Sequence, residues 1–460
     1  MVPAQSTATS PKPHIVMFVS DDMGWNEVGY HGSKIATPHI DGLAKEGVQL
    51  DRFYVHPICS PTRTALMTGR SPARFGITGP IGRGVVPLDE HFLPQTFQKA
   101  GYQTFMVGKW HLGERSDDYA PNARGFDHFF GFHGGGINYY TTDGSRARGW
   151  FRNGQSVAPQ GYSTDLLADE AIKLLKNRNK IKPVFLYLPF NAPHQPAQAS
   201  ERLLEKYRKL GFFGRRVGQA GAIEAMDAAI GRVLATIEAE GISKETLVMF
   251  FCDNGSGGGR RGSTALPGQL ALRGGKGSTW EGGQRLPFIA WWPGRIPAGQ
   301  TCGELTTSMD FLPTFAGLAG ARVPDDRILD GKDIQPLLMG ETGASSPHDA
   351  FFYYMCNDLE AVRSGKWKLH VRKRDQEMVE LYDLETDIGE TNDVAAQHPD
   401  VVAELQGRLQ ACREDIGDEA SGVTGANVRP IGKVDNPQPL TQFDPNCPYM
   451  WAEYDTEEVG

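Results

Sequence analysis

Short apolar segments that end in polar residues recur along much of this 460-residue chain. They read as buried strands, and amphipathic segments with helical periodicity separate them. This alternation is typical of an α/β fold, a large doubly wound and mainly parallel sheet with helices on both faces. The predicted strands are 14–20, 48–55, 104–107, 184–188, 246–251 and 288–292; predicted helices start within 37–44 and cover 93–100, 165–177, 222–240 and 309–318.

Polar residues follow several of these strands directly, and their position bears on function. In open α/β sheets, ligands bind in the crevice at the carboxyl ends of the strands. We therefore expect residues that are far apart in the sequence to form one site. They are Asp21, Asp22, the Cys59 loop, Lys109, His111, His194, Asp253 and Asn254.

Four of these residues offer oxygen atoms and no soft ligand: Asp21, Asp22, Asp253 and Asn254. Such a donor set suits a hard cation, calcium or magnesium, rather than zinc. Turn chemistry is the alternative, because Asp and Asn also cap helices and form tight turns without a metal. The residues by themselves are consistent with both explanations.

The segment Cys59–Arg63 places a thiol two residues before a proline and four residues before an arginine. Pro61 suits the first position of a helix, which would put Cys59 at the positive helix end and Arg63 one turn in. An anion there would meet backbone N–H groups and a guanidinium together. The alternative is a small buried cysteine at a loop-to-helix junction.

Three further basic positions are less informative on their own. Lys109 and His111 are two residues apart, so both would face one side of a locally extended chain. His194 lies between two prolines in a stiff loop, which suits a positioned acid and equally an ordinary turn. Lys276 lies in a glycine-rich loop and resembles a solvated surface charge.

The longer strings around these residues resemble those of formylglycine-dependent type I sulfatases, a family of the alkaline phosphatase superfamily. The resemblance runs from about residue 14 to residue 393. Within the family, the arylsulfatase B (N-acetylgalactosamine-4-sulfatase) type is the most similar. The strings that carry the resemblance are Asp21–Asn26, Cys59–Arg63 with Thr68–Arg70, Met106–Gly113, Arg124–Asp127 and Trp280–Gly283.

This resemblance implies two cofactors. One is formylglycine, an aldehyde made from Cys59 after synthesis by the formylglycine-generating enzyme; the other is calcium, with magnesium as the alternative. The implied metal ligands are Asp21, Asp22, Asp253, Asn254 and the converted Cys59. The implied catalytic groups around the sulfate are Cys59, Arg63, Lys109, His111, His194 and Lys276.

The resemblance also implies a covalent route for sulfate ester hydrolysis. One hydroxyl of the hydrated aldehyde attacks sulfur, while Lys109, His194 and Lys276 bind the sulfate. His194, with Lys276, protonates the leaving alcohol. His111 then takes the proton from the second hydroxyl, which expels sulfate and restores the aldehyde.

The expected substrate is a sulfated carbohydrate, with small aryl sulfates as surrogates. Tyr139, Tyr140, Arg124 and Trp150 are candidates for a sugar subsite, and packing within their loop is the alternative. Two rival functions share the fold. One is a phosphatase or phosphonate monoester hydrolase of the same superfamily, and the other is a binding protein that holds sulfated glycans without modifying them.

Composition excludes several other classes of protein. The net charge of −8 disfavours nucleic acid as a partner, and no apolar run is long enough to span a membrane. Six cysteines are too sparse for a disulfide scaffold. Cys252 is predicted to be a buried apolar residue, and pairing among Cys302, Cys356, Cys412 and Cys447 is left open.

The chain is predicted to have four parts. These are a polar extension at 1–13, a catalytic domain at 14–345, an α+β subdomain at 346–416, and an irregular tail at 417–460 that packs back on the catalytic domain. The subdomain is predicted to contain strands at 351–354, 361–371 and 380–384 and a helix at 399–414.

The first 13 residues lack the charged and apolar regions of a signal peptide. Two locations are consistent with this start: the cytoplasm, or the periplasm or exterior after removal of a native signal. The resemblance favours the second location.

Overall fold

A computed structural model describes residues 12–79, 85–114, 116–141, 149–257 and 272–434. The strands are β1 (His14–Ser20), β2 (Val48–Tyr54), β3 (Gln103–Lys109), β4 (His128–Phe132), β5 (Tyr140–Thr141), β6 (Trp150–Arg152), β7 (Gln155–Val157), β8 (Gly161–Tyr162), β9 (Val184–Pro189), β10 (Thr246–Cys252), β11 (Phe288–Trp291), β12 (Gln300–Thr307), β13 (Phe351–Met355), β14 (Asp358–Ser364), β15 (Trp367–Lys373), β16 (Gln376–Asp383), β17 (Gly417–Asp418) and β18 (Val423–Thr424). The helices are α1 (Pro38–Glu46), α2 (Cys59–Thr68), α3 (Leu93–Lys99), α4 (Ser163–Lys176), α5 (Glu201–Lys209), α6 (Arg215–Ala239), α7 (Glu281–Gln284), α8 (Phe311–Ala319), α9 (Gln335–Leu338) and α10 (Pro399–Asp415).

Ten strands form one large sheet in the order β12-β2-β11-β10-β1-β9-β3-β4-β6-β7. The central strands β10, β1, β9, β3 and β4 are parallel to their neighbours in this run. Strand β11 is antiparallel to both β10 and β2. The predicted α/β fold with a mainly parallel sheet is thereby confirmed.

The central strands of this sheet are buried among apolar side chains. Every residue of β1 is buried, because helices cover both faces and leave no polar side for alternation. Helices α1, α4 and α5 contact α6, whereas α2, α3 and α8 contact one another. The ring of Phe97 in α3 stacks on that of Phe185 in β9 at 4.3 Å.

The second sheet is antiparallel, in the order β13-β14-β15-β16. One side packs on α10, where Leu405 and Leu409 join the apolar cluster of the sheet. Residues of β13 and β14 also cluster with Tyr54 of β2, which joins the second sheet to the large one. This confirms the predicted small C-terminal α+β unit, while the exact domain boundaries stay a prediction.

The structure differs from the predicted elements in several places. Residues 361–371 form two strands, β14 and β15, because Gly365 turns the chain with a left-handed φ of 55°. Helix α6 begins at Arg215, seven residues before the predicted start at 222. The half-exposed strand β12 and the polar helix α5 were not predicted, since neither has a continuous apolar pattern.

The structure also bears on the tail and the cysteines. Gly432 pairs with Val85, and Arg429 forms an ion pair with Asp89, so this part of the tail contacts the region around the large sheet. None of the five cysteines in the described ranges forms a disulfide, and Cys447 lies outside those ranges. No helix in the described ranges has the length and apolar character needed to cross a bilayer.

Candidate active site

The site begins where the two central parallel strands end side by side. Ser20 of β1 lies opposite Cys252 of β10, so the residues that follow leave the sheet together. The backbone N–H of Asp253 donates to the Ser20 carbonyl at 3.1 Å. Asp22 and Asn254 are then close enough for the Asn254 amide to donate to the Asp22 carboxylate at 2.8 Å. The structure thus brings the four predicted oxygen donors together.

Cys252 ties these two strand ends to each other. The backbone N–H of Met23 donates to Cys252 Sγ at 3.0 Å, and the thiol donates to the Asn254 carbonyl at 3.1 Å. The prediction treated Cys252 as a buried apolar residue, and it is fully buried. Its polar contacts were missed because only the pairing of β1 with β10 places it beside Met23.

The donor set fits a hard divalent cation. Ligand atoms of Asp21, Cys59 and Asp253 all lie within 4.8 Å of one another, and all three residues are buried. Among the described residues, Asp21 Oδ1 and Asn254 Oδ1 have no hydrogen-bond partner although both atoms are buried. An orphaned buried oxygen is costly unless a ligand uses it. The residues therefore fit a metal ion that oxygen atoms would hold.

Cations neutralise the same carboxylates. Lys109 Nζ lies 2.7 Å from Asp21 Oδ2, and Lys276 Nζ lies 3.0 Å from the Asp22 carboxylate. The Arg63 guanidinium contacts Asp253 Oδ2 through two nitrogen atoms at 2.8 and 3.0 Å. This alternation of charges keeps a strongly ionic site buried without an uncompensated charge.

Burial and these neighbours shift the carboxylate pKa values in different directions. Burial raises the pKa of Asp21, and it raises the pKa of Asp253 to about 6. Burial also acts to raise the pKa of Asp22, but the charges of Lys276 and His194 outweigh it and hold that pKa well below its usual value. Asp22 is therefore the most firmly ionised of the three.

Cys59 is the first residue of helix α2, with Ile58 as the N-cap. The helix thus begins two residues before the predicted start at Pro61, which occupies the third position. Proline is tolerated there because the first helical N–H groups have no intrahelical partner. Cys59 is fully buried, and burial raises the pKa of its thiol. An unmodified thiol in this environment is a poor nucleophile, because the thiolate is the reactive form.

His111 reaches the site by a different backbone route from the predicted one. Lys109 ends β3, but His111 has a left-handed φ of 58° rather than an extended conformation. Its carbonyl accepts a hydrogen bond from Ser60 Oγ at 3.2 Å, which places it beside the start of α2. Burial and the nearby Lys109 hold the pKa of His111 well below its usual value. A neutral imidazole can accept a proton.

His194 lies next to Lys276. Its Nδ1 is 2.7 Å from the Gln195 carbonyl oxygen, which can only accept, so Nδ1 carries the proton. Its Nε2 then accepts from Lys276 Nζ at 3.3 Å. Burial lowers the pKa of His194 to about 3. The Tyr139 hydroxyl lies 3.0 Å from the His194 carbonyl oxygen and helps to fix this loop.

Three of the four candidates for the sugar subsite are buried in the structure. Tyr139 and Trp150 are fully buried, and Arg124 is only 2% exposed. Arg124 donates to the Leu88 carbonyl and lies over the Phe92 ring at 3.9 Å. Loop packing, the alternative interpretation, is therefore correct for these three residues.

Comparison with known proteins decides the family. The sulfatase family model matches residues 13–321, about two thirds of the chain, and a model described as N-sulphoglucosamine sulphohydrolase, C-terminal, matches residues 275–415. The chain belongs to the sulfatase family. This confirms the predicted family and, with it, the predicted enzyme class of sulfuric ester hydrolases.

Two curated relatives of this sulfatase come from Mus musculus. Arylsulfatase J is 35% identical over 377 residues, which cover 79% of this chain and 62% of that protein. N-acetylgalactosamine-6-sulfatase is 35% identical over 389 residues, which cover 78% of this chain and 72% of that protein. The 4-sulfatase type that the sequence most resembles stays a prediction.

Solved structures agree with the family assignment. The crystal structure of Ps i-CgsB in complex with k-i-k-neocarrahexaose has a TM-score of 0.78 and 32% identity, and the match covers 87% of this chain and 92% of that chain. The PsFucS1 sulfatase from Pseudoalteromonas sp. has a TM-score of 0.74 and 26% identity, with coverage of 87% and 90%.

Proposed function

We propose that this sulfatase hydrolyses sulfate monoesters of a sulfated carbohydrate, and small aryl sulfates as well, through a formylglycine derived from Cys59. The observation that carries the proposal is the meeting of Cys59 with acidic oxygen donors and buried basic groups in one site. That combination suits a tetrahedral oxyanion beside a hard cation. The sugar substrate is supported by the names of relatives, among them an N-acetylgalactosamine-6-sulfatase and a protein solved with k-i-k-neocarrahexaose.

We assign the metal site to five residues. They are Asp21, Asp22, Asp253, Asn254 and the converted Cys59. Calcium is the proposed ion, with magnesium as the alternative, because every donor would then be an oxygen. When bound, the ion would supply positive charge to the sulfate oxygens and to the attacking hydroxyl.

Residue 59 is the proposed nucleophile once the formylglycine-generating enzyme has converted it to an aldehyde. The hydrate carries two hydroxyl groups on one carbon. Arg63, which lies beside Asp253, would favour loss of the proton from the first hydroxyl. That oxygen would form a bond to sulfur as the bond from sulfur to the substrate oxygen breaks, which would leave the sulfate on residue 59 and the proton of the first hydroxyl with solvent water.

Proton transfer is assigned to the two histidines. The leaving alcohol receives a proton from the His194–Lys276 pair, where the ammonium group of Lys276 already donates to the imidazole. Neutral His111 then accepts the proton of the second hydroxyl, the carbon–oxygen bond to sulfate breaks, and the aldehyde re-forms. Lys109 would neutralise the sulfate oxygens throughout, and Lys276 would do so until the pair gives its proton to the alcohol.

A direct assay tests this proposal against its rivals. Purified protein is expected to hydrolyse a nitrophenyl sulfate far faster than the matching nitrophenyl phosphate. Peptide mass spectrometry is expected to find residue 59 as formylglycine. Faster phosphate hydrolysis would favour the phosphatase alternative, and an unconverted Cys59 without turnover would favour the binding protein. Desulfation of defined oligosaccharides would then identify the sugar.

A further inference from the structure

The segment that carries Lys276 is held against the site through its backbone. We call residues 272–285 the Lys276 segment. The N–H of Lys276 donates to the Ser256 carbonyl at 3.2 Å, and the N–H of Gly277 donates to the Pro57 carbonyl at 2.8 Å. These contacts join the segment to the loops before Cys59 and after Asp253. The long side chain of Lys276 can then reach Asp22.

The other end of the Lys276 segment is buried against the second sheet. The carboxylate of Glu281 is fully buried. Its Oε1 accepts from the Tyr353 hydroxyl at 2.8 Å and from Lys368 Nζ at 2.9 Å. Its Oε2 accepts from the Tyr54 hydroxyl at 2.5 Å. One side chain therefore joins the segment to β13 and β15 of the second sheet and to β2 of the large sheet.

A second buried acid, Glu390, also binds the Lys276 segment. Oε2 of Glu390 accepts from the backbone N–H of Glu281 at 2.8 Å. Its Oε1 accepts from His370 Nε2 at 2.8 Å and lies 2.9 Å from Lys368 Nζ. The Glu390 carbonyl accepts from Arg273 at 2.9 Å, near the start of the described segment. Both carboxylates are thus fully hydrogen-bonded.

Aromatic packing adds to the same contact. Two basic groups contact the Trp280 ring, with the Arg273 guanidinium carbon 3.5 Å and Lys373 Nζ 4.1 Å from the ring centre. The neighbouring Thr279 hydroxyl donates to Glu360 of β14. The stretch from Thr279 to Glu281 is therefore anchored to the second sheet by charge, hydrogen bonds and stacking.

We propose that Glu281 is a positioning residue, through which the second sheet fixes Lys276 beside Asp22 and His194. A lysine side chain has many rotamers, so its ammonium group is preorganised only when its backbone is held. Glu281, Lys368 and Glu390 supply that hold from outside the reacting centre. The inference rests on the proposed function, because it assigns Lys276 to the sulfate.

A double-mutant cycle on the full-length protein tests this coupling. Glu281→Gln is expected to lower kcat/KM for a nitrophenyl sulfate by about 100-fold, since a small displacement of a catalytic group costs that much. In the Lys276→Ala background the same change is expected to cost less than about 3-fold, because the group it positions is already gone. Equal losses in both backgrounds would overturn the proposal.

A milder variant and a matched control separate positioning from loss of folding. Tyr353→Phe removes one donor to Glu281 and is expected to give a smaller loss with the same dependence on Lys276. The control is Asp418→Asn, since Asp418 is a buried acid that pairs with Arg413 at 2.8 Å in the same C-terminal unit. It is expected to lower the melting temperature without a comparable loss of kcat/KM.

The outcomes of this experiment distinguish the inference from the function beneath it. A wild-type protein that hydrolyses no sulfate ester would overturn the proposed function. An active wild type whose Glu281→Gln and Tyr353→Phe variants keep full activity, or lose it equally without Lys276, would overturn the positioning role alone. An Asp418→Asn loss as large as that of Glu281→Gln would also overturn it.

Discussion

Two buried charged clusters in this protein look alike in composition and differ in one respect. The site cluster contains Asp21, Asp22 and Asp253 with arginine, lysine and histidine around them. We call the second one the clamp cluster, and it contains Glu281 and Glu390 with the equally buried Lys368, Arg363 and Tyr353. Every carboxylate oxygen of the two clamp acids accepts a hydrogen bond, whereas Asp21 Oδ1 in the site cluster has no partner among the described residues.

This difference separates a ligand site from a structural contact. A buried ionic cluster is stable when its partners satisfy each other, and a missing partner is costly in a low dielectric. The orphaned oxygens of Asp21 and Asn254 therefore mark the cluster that offers hard donor atoms to a ligand, whereas the buried atom without a hydrogen-bond partner beside Glu390, among the described residues, is the ring nitrogen Nδ1 of His370. Burial and charge alone do not distinguish the two clusters.

The largest expected effect tests the chemical role of the site cluster. Cys59→Ala is expected to lower turnover of a nitrophenyl sulfate by about 10⁴-fold or more, because the covalent route disappears. Steady-state kinetics measure it, and circular dichroism checks the fold. Activity within tenfold of wild type would refute the nucleophile assignment. An equal loss of turnover in Glu390→Gln would mean that the site cluster and the clamp cluster do not differ in chemical role.

The next effect concerns His111. His111→Ala is expected to slow turnover by about 10³-fold, because no base removes the proton from the second hydroxyl. A sulfated form of the protein should then accumulate after substrate is added. Intact-protein mass spectrometry detects this adduct, and the Cys59→Ala protein serves as the blank. Slow turnover without an adduct would contradict the assigned role.

Metal content is the third way to separate the clusters. Asp253→Ala is expected to weaken calcium binding by about 100-fold or more, because it removes one of the five proposed ligands. Elemental analysis of protein dialysed against dilute calcium measures the loss. Glu390→Gln is the matched control and is expected to keep its metal. A metal content that falls equally in both variants would mean that general unfolding causes the loss.

The fourth expected effect is a loss of folding stability when an acid of the clamp cluster is replaced. Glu390→Gln replaces a carboxylate that accepts from His370 and from the Glu281 backbone. We expect a loss of about 2 kcal/mol in the free energy of unfolding, the usual value for hydrogen bonds to a charged group. Urea denaturation measures it. A change below about 0.5 kcal/mol would show that the clamp adds little to stability.

The smallest expected effect concerns Glu170, whose ion pair with Arg152 lies outside both clusters and serves as a reference for them. Burial acts to raise the pKa of Glu170, but hydrogen bonds from His128 and the charge of Arg152 outweigh it and lower the pKa to about 2. The stabilisation should be complete above pH 4.5 and lost as the pH falls towards 2. Because the Arg152 side chain is 35% exposed to solvent, Glu170→Gln should cost about 1 kcal/mol or less near neutral pH. Unfolding curves should show the full difference between Glu170→Gln and wild type above pH 4.5 and no difference near pH 2.

Much of the fold could be predicted because the central strands are continuous apolar runs. β1 begins and ends at the predicted residues, and the rule that polar residues follow strands placed Asp21 and Asp253 together. The rule failed for Lys276, which precedes the antiparallel strand β11 instead of following a parallel one. Its place in the site was predicted only from the family resemblance.

The clamp was not predicted at all. Glu281 lies between Trp280 and two glycines, and nothing in that string indicates a buried acid. Its partners Tyr353, Lys368 and Glu390 are distant in the sequence, and each alone is an ordinary strand or loop residue. Contacts of this kind depend on how two sheets dock, which residue periodicity does not encode.

The reversed direction of β11 has one more consequence. Because Phe288 pairs with Phe251, the chain leaves the sheet at the carboxyl end of β10 and re-enters it through β11 at that same end. An excursion of the chain that leaves and returns at the same end of two neighbouring strands, here β10 and β11, can gain or lose residues without shifting either strand. A change of length within this excursion would therefore leave both strands in place, and Lys276 would keep its position as long as residues 272–285 stay anchored.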